Sequence, residues 1–319
     1  MLLKFLIIAV GLVALVYGAT WLVEGASSIA KKLGVSALTI GLTVVAFGTS
    51  APELAVNVIS ATTGNSEIAL GNILGSNIFN VFVILGISAL IKPIIVQRKT
   101  VKIEIPFNFL ATAVVFALAG DMFIDHNSSA FISRSDAIIL LLLFAVFLYY
   151  NFLSAKMGDI DTEPDVKKRN AWYSVLMIVG GLVLLVAGGR IIVYSAVKIA
   201  EALGVSQAVI GLTIVAAGTS LPELATSAIA AYRGKSDIAI GNVVGSNIFN
   251  LLLVLGVTSF IRPINIYPNA WFDLSVNILG AILMLVFAMW GRKCRISRVH
   301  GAIFLAIAIA YNVYLVINA

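Results

Sequence analysis

The stretch GLTVVAFGTSAPELA, which begins at Gly41, recurs as GLTIVAAGTSLPELA from Gly211. The two copies place Glu53 and Glu223 at matched positions of apolar segments. A second pair follows at the same offset of 170 residues, with GNILGSNIFN in the first copy and GNVVGSNIFN in the second. Without a gap, 30 of the 47 positions from 34 to 80 are identical to those from 204 to 250. The chain therefore contains two copies of one structural unit.

Composition indicates a polytopic membrane protein, because 61% of the residues are hydrophobic, only 11% are charged, and the mean hydropathy is +1.06. No polar stretch exceeds about 20 residues, which leaves no soluble domain for catalysis or for binding nucleic acid. A helix needs about 20 apolar residues to cross a ~30 Å hydrocarbon layer. The sequence predicts ten such spans, near residues 2–23, 37–61, 67–91, 105–121, 135–153, 172–197, 207–231, 237–261, 270–291 and 299–317.

The repeat aligns the first five predicted spans with the last five. Because five is odd, each half must begin on the opposite side of the membrane from the other. We therefore predict an all-α polytopic membrane protein with ten transmembrane helices in two inverted-topology five-helix repeats. The predicted repeats are residues 1–153 and 171–319, and residues 154–170 form a charged cytoplasmic linker between them.

Lysine and arginine residues predict the orientation of the chain in the membrane. Sixteen of them lie in loops after odd-numbered spans, whereas only Lys4, Arg134, Lys198 and Arg262 lie on the other side. By the positive-inside rule, this asymmetry predicts that both termini are extracytoplasmic in a protein of the cell membrane. The net charge of +6 is then explained by anchoring to anionic lipid rather than by contact with nucleic acid.

The first span has one feature of a secretory signal peptide, since Lys4 precedes an apolar run. However, residues near Gly11 match those near Gly181, in a span that is internal to the chain. Removal of the first span would destroy the symmetry of the repeat, so we expect it to be retained.

The repeated GTSxPEL segments have the features of a kinked helix that binds a cation. Pro52 lacks an amide hydrogen and its ring disturbs the carbonyl four residues earlier, on Gly48. Thr49, Ser50 and Glu53 then place three oxygen-bearing side chains on about one helical turn. A charged group near the bilayer centre costs about 2.5 to 3.5 kcal/mol on the lenient insertion scale, so two symmetry-matched acids indicate function. The second half repeats this pattern with Gly218, Thr219, Ser220, Pro222 and Glu223.

The GNxxGSNIFN segments supply further oxygen donors. Ser76 with Asn80, and Ser246 with Asn250, are each four residues apart and lie on one helix face. Gly71 with Gly75, and Gly241 with Gly245, form the small-xxx-small pattern that lets helices approach closely. Oxygen donors of these types bind hard cations such as Ca²⁺ and Na⁺, and two carboxylates can neutralise one Ca²⁺. A soft-metal site is excluded because the chain has one cysteine and two histidines, both histidines outside the repeated core.

These doubled motifs resemble the paired alpha-repeats of the calcium/cation antiporter superfamily, and most closely its sodium/calcium exchanger branch. The resemblance spans essentially the whole chain. It implies exchange of cytosolic Ca²⁺ for Na⁺ or protons by alternating access, without a cofactor. Carried over by motif position, the implied ligands are Thr49, Ser50, Glu53, Ser76 and Asn80 with Thr219, Ser220, Glu223, Ser246 and Asn250, together with backbone carbonyls near Ala46 and Ala216.

The chain departs from that pattern at one pair of positions. Relatives often have aspartate where this sequence has Asn80 and Asn250, so only Glu53 and Glu223 can ionise in the implied site. Proton-coupled members often carry an acid within the second motif, as in GNxxE, which is absent here. The sequence therefore favours Na⁺ as the counter-ion and leaves an H⁺/Ca²⁺ exchanger on the same fold as the alternative.

The same residues can be compared with what three other classes of protein require. A cation channel would also use oxygen ligands, but duplicated kinked helices with two discrete acids suit an alternating site better. An intramembrane enzyme is disfavoured because there is no His-Glu-x-x-His motif. A primary pump is disfavoured by the absence of a GxxxxGK[ST] loop. The sequence leaves the oligomeric state open, and a monomer is compatible with it.

Overall fold

The computed structural model describes residues 2–63, 66–120, 130–156, 169–202, 216–267, 270–289 and 294–317. Within these ranges the chain is helical apart from four two-residue strands, β1 (Ile94–Ile95), β2 (Phe131–Ile132), β3 (Ile264–Asn265) and β4 (Arg295–Ile296). Three π-helical segments are present, π1 (Gly41–Val45), π2 (Phe79–Leu85) and π3 (Phe249–Val254). The α-helices are α1 (Leu2–Leu33), α2 (Ala37–Ile40), α3 (Ala46–Thr49), α4 (Ala51–Thr63), α5 (Ser66–Ile78), α6 (Gly86–Ile91), α7 (Arg98–Lys102), α8 (Glu104–Leu118), α9 (Arg134–Lys156), α10 (Ala171–Ala202), α11 (Ala216–Thr219), α12 (Leu221–Tyr232), α13 (Ser236–Ile248), α14 (Leu255–Ile261), α15 (Ala270–Met289) and α16 (Arg298–Ile317).

Eight helices within the described ranges are long and apolar enough to cross a membrane, and the bent pair Ala37–Thr49 with Ala51–Thr63 would supply a ninth. The chain is thus a helical integral membrane protein, and each spanning helix satisfies its own backbone hydrogen bonds within the hydrocarbon. The predicted span 207–231 begins outside the described residues. Most of the predicted linker, from 157 to 168, also lies outside them.

The two longest helices, α1 and α10, pack against each other through glycines. A Cβ atom added to Gly18 would lie 2.8 Å from the carbonyl oxygen of Gly181, and one added to Gly181 would lie 2.7 Å from the carbonyl of Gly18. Gly11 and Gly188 approach each other in the same reciprocal way, at 3.0 and 2.8 Å. Small residues permit this backbone contact, which supplies the packing that hydrophobicity cannot supply between helices in lipid.

The short strands join loops from the two halves of the chain. β1 pairs with β4, and β2 pairs with β3, both antiparallel. β1 and β4 lie in loops that the lysine and arginine pattern assigns to the cytoplasmic side, and β2 and β3 lie in loops that it assigns to the other side. Each pairing therefore joins loops of the same predicted side.

A charged cluster forms a further contact between the two halves. Glu24 of α1 accepts hydrogen bonds from Arg169 at 2.8 Å and from Arg233 at 2.5 Å. Both arginines belong to the predicted cytoplasmic set. Because all three side chains are about one-third exposed, solvent screens these ion pairs, and their main effect is to fix where the loops meet.

The GNxxGSNIFN helices lie at the centre of the fold, where every residue of α13 from Ile238 to Ile248 is buried. A Cβ added to Gly245 would lie 2.6 Å from Ala46 Cβ, and one added to Gly241 would lie 3.1 Å from the carbonyl of Leu38. The predicted close approach is therefore confirmed for the second half. In the first half, no described atom lies closer than 4.0 Å to a Cβ added at Gly71 or Gly75; the segment that corresponds to 37–45 by the repeat lies within 203–215, outside the described residues.

Candidate cation site

The kink predicted at Pro52 is present. The helix axis bends by 45° between Ala37–Thr49 and Ala51–Thr63, and the break falls at Ser50, whose φ and ψ are −84° and 3°. The second half has the same break at Ser220, with φ −91° and ψ 6°, followed by Pro222 at the start of α12. In both halves, the missing amide hydrogen and the ring of the proline prevent continuous helix.

The two glutamates are bridged by serines across the repeat. Ser50 donates a hydrogen bond to Glu223 Oε1 at 3.0 Å, and Ser220 donates to Glu53 Oε1 at 3.2 Å. Ser220 Oγ also lies 3.3 Å from Ser76 Oγ. All five side chains are at most 3% exposed. The structure thus brings these five predicted residues together, but it pairs each serine with the glutamate of the other half rather than with the one on its own helix.

Thr49 and Ala46 contact each other, and Thr49 also contacts Asn242. Thr49 Oγ1 lies 3.1 Å from Asn242 Oδ1 and 3.3 Å from the carbonyl oxygen of Ala46. The Ala46 carbonyl also accepts the amide hydrogen of Ser50 at 2.9 Å. A cation at this carbonyl would share the oxygen with the helical hydrogen bond.

Three second-half candidates remain, Ser246, Thr219 and Ala216. Ser246 is fully buried on α13, and its Oγ has no hydrogen-bond partner among the described residues. Thr219 is half-buried at the end of α11. Ala216 is the first residue of α11, and only its backbone is described.

Asparagines form a second layer of contacts between the halves. Asn80 donates through Nδ2 to Asn247 Oδ1 at 3.0 Å, and Asn250 donates through Nδ2 to Asn77 Oδ1 at 3.1 Å. The two bonds are equivalent by the repeat, because Asn250 and Asn247 lie 170 residues after Asn80 and Asn77. Ser76 connects this layer to the glutamates, since it is one turn before Asn80 and contacts Ser220.

Four oxygens of this cluster have no hydrogen-bond partner among the described residues although they are buried: Glu53 Oε2, Glu223 Oε2, Asn80 Oδ1 and Asn250 Oδ1. A buried polar atom without a partner is costly, and a cluster of them requires an explanation. Carboxylate and amide oxygens are the donors that Ca²⁺ and Na⁺ prefer. Among the described residues no group of three acidic, histidine or cysteine side chains could hold a metal ion, so the donors here are two carboxylates supported by neutral oxygens.

Sequence analysis missed two features of this region. π2 begins at Phe79 and π3 at Phe249, so each π-helical segment starts one residue before a candidate ligand. π-helical turns are frequent at functional sites, but no residue pattern in the motif indicates them. Asn242 was not among the candidate ligands, yet its side chain contacts Thr49 and donates to the Glu223 carbonyl at 3.3 Å. Its position in the doubled GN pair was the available signal.

A bundle of apolar helices with two buried carboxylates beside matched helix breaks defines a membrane transport protein rather than a soluble enzyme. The chain belongs to the sodium/calcium exchanger protein family, whose model matches residues 3–153 and 173–317.

Individual relatives are similar over nearly their full length. CaxA of Alkalimonas amylolytica is 40% identical, with 98% of each chain covered. The sodium/calcium exchanger MaX1 of Methanosarcina acetivorans is 32% identical, again with 98% of each chain covered. Among solved structures, the sodium-calcium exchanger NCX_Mj soaked with zero Na⁺ and Ca²⁺ matches with a TM-score of 0.84 at 33% identity, covering 98% of this chain and 99% of that one. The family expected from the doubled motifs is therefore confirmed.

Proposed function

We propose that this protein is a secondary active antiporter that exports Ca²⁺ in exchange for Na⁺ by alternating access. The proposed site lies at the membrane midplane, with Glu53, Glu223, Asn80 and Asn250 as its principal ligands. The single observation that supports this proposal most is the set of four buried oxygens, one on each of these residues, that have no hydrogen-bond partner among the described residues. The serines and threonines of the two GTS motifs, with Ser76 and Ser246, complete the proposed coordination sphere.

Charge balance is consistent with this ion pair. Two ionised glutamates carry a charge of −2, which one Ca²⁺ neutralises, and the Na⁺ ions that replace it would balance the same charge in a low-dielectric site. Because both cations bind the same carboxylates, binding of one lowers the affinity for the other. Competition for one set of oxygens is what alternating exchange requires.

Inverted repeats provide the proposed route for alternating access. The serine–glutamate and asparagine–asparagine contacts are reciprocal, so exchanging the roles of the halves leaves the same site. We propose ten transmembrane helices in two halves of opposite topology, 1–153 and 171–319, joined by residues 154–170. Rocking of the symmetric halves about a fixed site would open it to one side at a time.

We predict that an inward Na⁺ gradient at constant pH will drive Ca²⁺ out of the compartment that corresponds to the cytosol. The purified protein in liposomes, loaded with radioactive Ca²⁺, provides the measurement, with separately imposed Na⁺ and pH gradients. Low pH should only inhibit, because protonation neutralises the glutamates that both cations need.

Proton coupling is the second candidate, since Glu53 and Glu223 could carry protons whereas Asn80 and Asn250 cannot. Uphill Ca²⁺ movement driven by a pH gradient alone, without a response to Na⁺, would support that candidate and reject Na⁺ coupling.

The proposed orientation places both termini outside the cytoplasm. Single cysteines placed near residues 1 and 319 in a Cys294→Ser background should react with a membrane-impermeant maleimide added from outside intact cells. A matched control, Glu163→Cys in the predicted linker, should react only after the membrane is opened. Labelling of the terminal sites only from the cytoplasmic side would show that the lysine and arginine asymmetry was misinterpreted.

A further inference from the structure

Each candidate amide ligand is held by an asparagine of the opposite half. The nitrogen of Asn80 is bonded to Asn247 Oδ1, and the nitrogen of Asn250 is bonded to Asn77 Oδ1. All four residues are at most 2% exposed. In both Asn80 and Asn250 the amide oxygen is the atom without a hydrogen-bond partner in the described part of the chain. We propose that Asn77 and Asn247 are positioning residues that turn the amide oxygens of Asn250 and Asn80 toward the transported cation. This inference rests on the proposed function.

The two branches of an amide differ in their hydrogen-bonding chemistry. An asparagine side chain has an oxygen acceptor and a nitrogen donor on opposite branches of nearly equal size, so rotation by half a turn exchanges them. With the nitrogen toward a cation, the amide would repel it. A fixed acceptor beside one branch removes the ambiguity, because two oxygens placed together would leave both unpaired in a buried site. Asn247 Oδ1 and Asn77 Oδ1 are such acceptors.

Asn77 is itself fixed in the required orientation. Its nitrogen lies 3.4 Å from the backbone carbonyl oxygen of Asn247, which leaves its side-chain oxygen facing Asn250. A backbone carbonyl can only accept, so it determines which way the Asn77 amide is turned. Orientation is thus passed from the backbone of α13 to the side chain of Asn77 and then to Asn250.

Competing partners are close by, which is why positioning is needed. Asn77 and Asn247 line a small cavity together with Asn108, Thr112 and Asn277. Asn108 is buried, and neither its nitrogen nor its oxygen has a hydrogen-bond partner among the described residues. Without the reciprocal bonds, the amides around this cavity could pair in other ways that turn the oxygens of Asn80 and Asn250 away.

The reciprocity has a consequence for assembly of the site. Asn247 belongs to the second half but orients a ligand of the first, and Asn77 does the reverse. A complete set of cation-facing oxygens therefore forms only when α5 and α13 lie together. The sequence motif SNIFN carries both the positioning asparagine and the ligand, three residues apart, and the two roles act across the repeat rather than within it.

A double-mutant cycle on Ca²⁺ binding by the purified full chain tests the proposal. If Asn247 acts only through Asn80, Asn247→Ala should weaken Ca²⁺ binding about 3- to 10-fold, as expected for one lost hydrogen bond. The double variant Asn80→Ala with Asn247→Ala should then bind within about twofold of Asn80→Ala alone, because the ligand that Asn247 positions is already absent. Asn77→Ala combined with Asn80→Ala is the crossed control, and its losses should multiply, since Asn77 positions the other ligand.

The possible outcomes separate this inference from the function on which it rests. Multiplying losses for Asn80 with Asn247, in protein that unfolds at the wild-type temperature, would overturn the positioning role alone. An unchanged affinity in Asn247→Ala would overturn it as well. Failure of the wild-type protein to bind or transport Ca²⁺ would overturn the proposed function and the inference together. Asn151→Ala, which removes a buried asparagine bonded to the Phe147 carbonyl of its own helix, controls for loss of a buried amide and should retain wild-type affinity.

Discussion

Replacing either Glu53 or Glu223 with glutamine should lower Ca²⁺ transport by about 100-fold or more, because each change removes half of the charge that balances a divalent ion at low dielectric. Glutamine keeps the size of the side chain and one oxygen acceptor, so Ser220 and Ser50 retain a partner. The fold should therefore survive while the affinity for Ca²⁺ is lost. Initial rates of Ca²⁺ uptake into liposomes, normalised to the amount of inserted protein, measure the effect.

Two further variants make this prediction specific. Glu24→Gln removes a carboxylate of the same size from the one-third-exposed cluster with Arg169 and Arg233, and its transport rate should stay within about twofold of wild type. Ser50→Ala leaves both charges in place and should cost about 3- to 10-fold. Wild-type flux in either glutamate variant would show that the carboxylates are not the transport site.

Gly245→Ala should destabilise the protein by about 1 to 3 kcal/mol and reduce transport several-fold, because overpacking a tight interface forces backbone shifts. The added methyl carbon would lie 2.6 Å from Ala46 Cβ and 2.9 Å from the Leu42 carbonyl oxygen. Both contacts are with the helical segment that leads into the GTS motif, so relief of the clash must displace the ligands. Thermal unfolding in detergent and Ca²⁺ flux in liposomes measure the two effects.

Gly189→Ala is the matched control for that substitution. An added Cβ there would meet its nearest atoms at 3.8 Å, which is ordinary van der Waals contact. Since alanine also favours helix over glycine, this variant should unfold at or above the wild-type temperature. Equal loss of stability in the two variants would mean that the close approach of α13 to the first motif does not limit packing.

Much of the fold could be predicted from periodicity and composition. The apolar stretches predicted the helices, and Pro52 predicted the bend that the structure places at Ser50. Such features depend on residues within a few positions of one another, so local chemistry determines them. The π-helical segments that begin at Phe79 and Phe249 were not predicted, because nothing local in the motif distinguishes them from α-helix.

The sequence named candidate residues for the site but not the hydrogen bonds between them. The doubled motifs identified Glu53 and Glu223 as a pair, since a buried acid at the same place in both copies is too costly to be incidental. The spacing of Ser50 and Glu53 did not indicate a hydrogen-bond partner for either residue, and in the structure Ser50 donates to Glu223 of the other half. Asn242, which was not among the candidate ligands, contacts Thr49.

The sequence by itself determined that this is a membrane protein, that its halves are copies, and which oxygen-bearing side chains could meet a hard cation. Only the tertiary structure showed which side chains of the two halves are hydrogen-bonded to each other. Ser50 donates to Glu223 and Ser220 donates to Glu53, and each SNIFN segment bonds through its asparagines to the other. The physical reason is the separation in sequence of the residues that determine each feature. Hydropathy and helix breaks are properties of neighbouring residues. Contacts between positions about 170 residues apart depend instead on how closely the helices pack. That distance depends on glycines such as Gly245 and on the residues they face in the opposing helix.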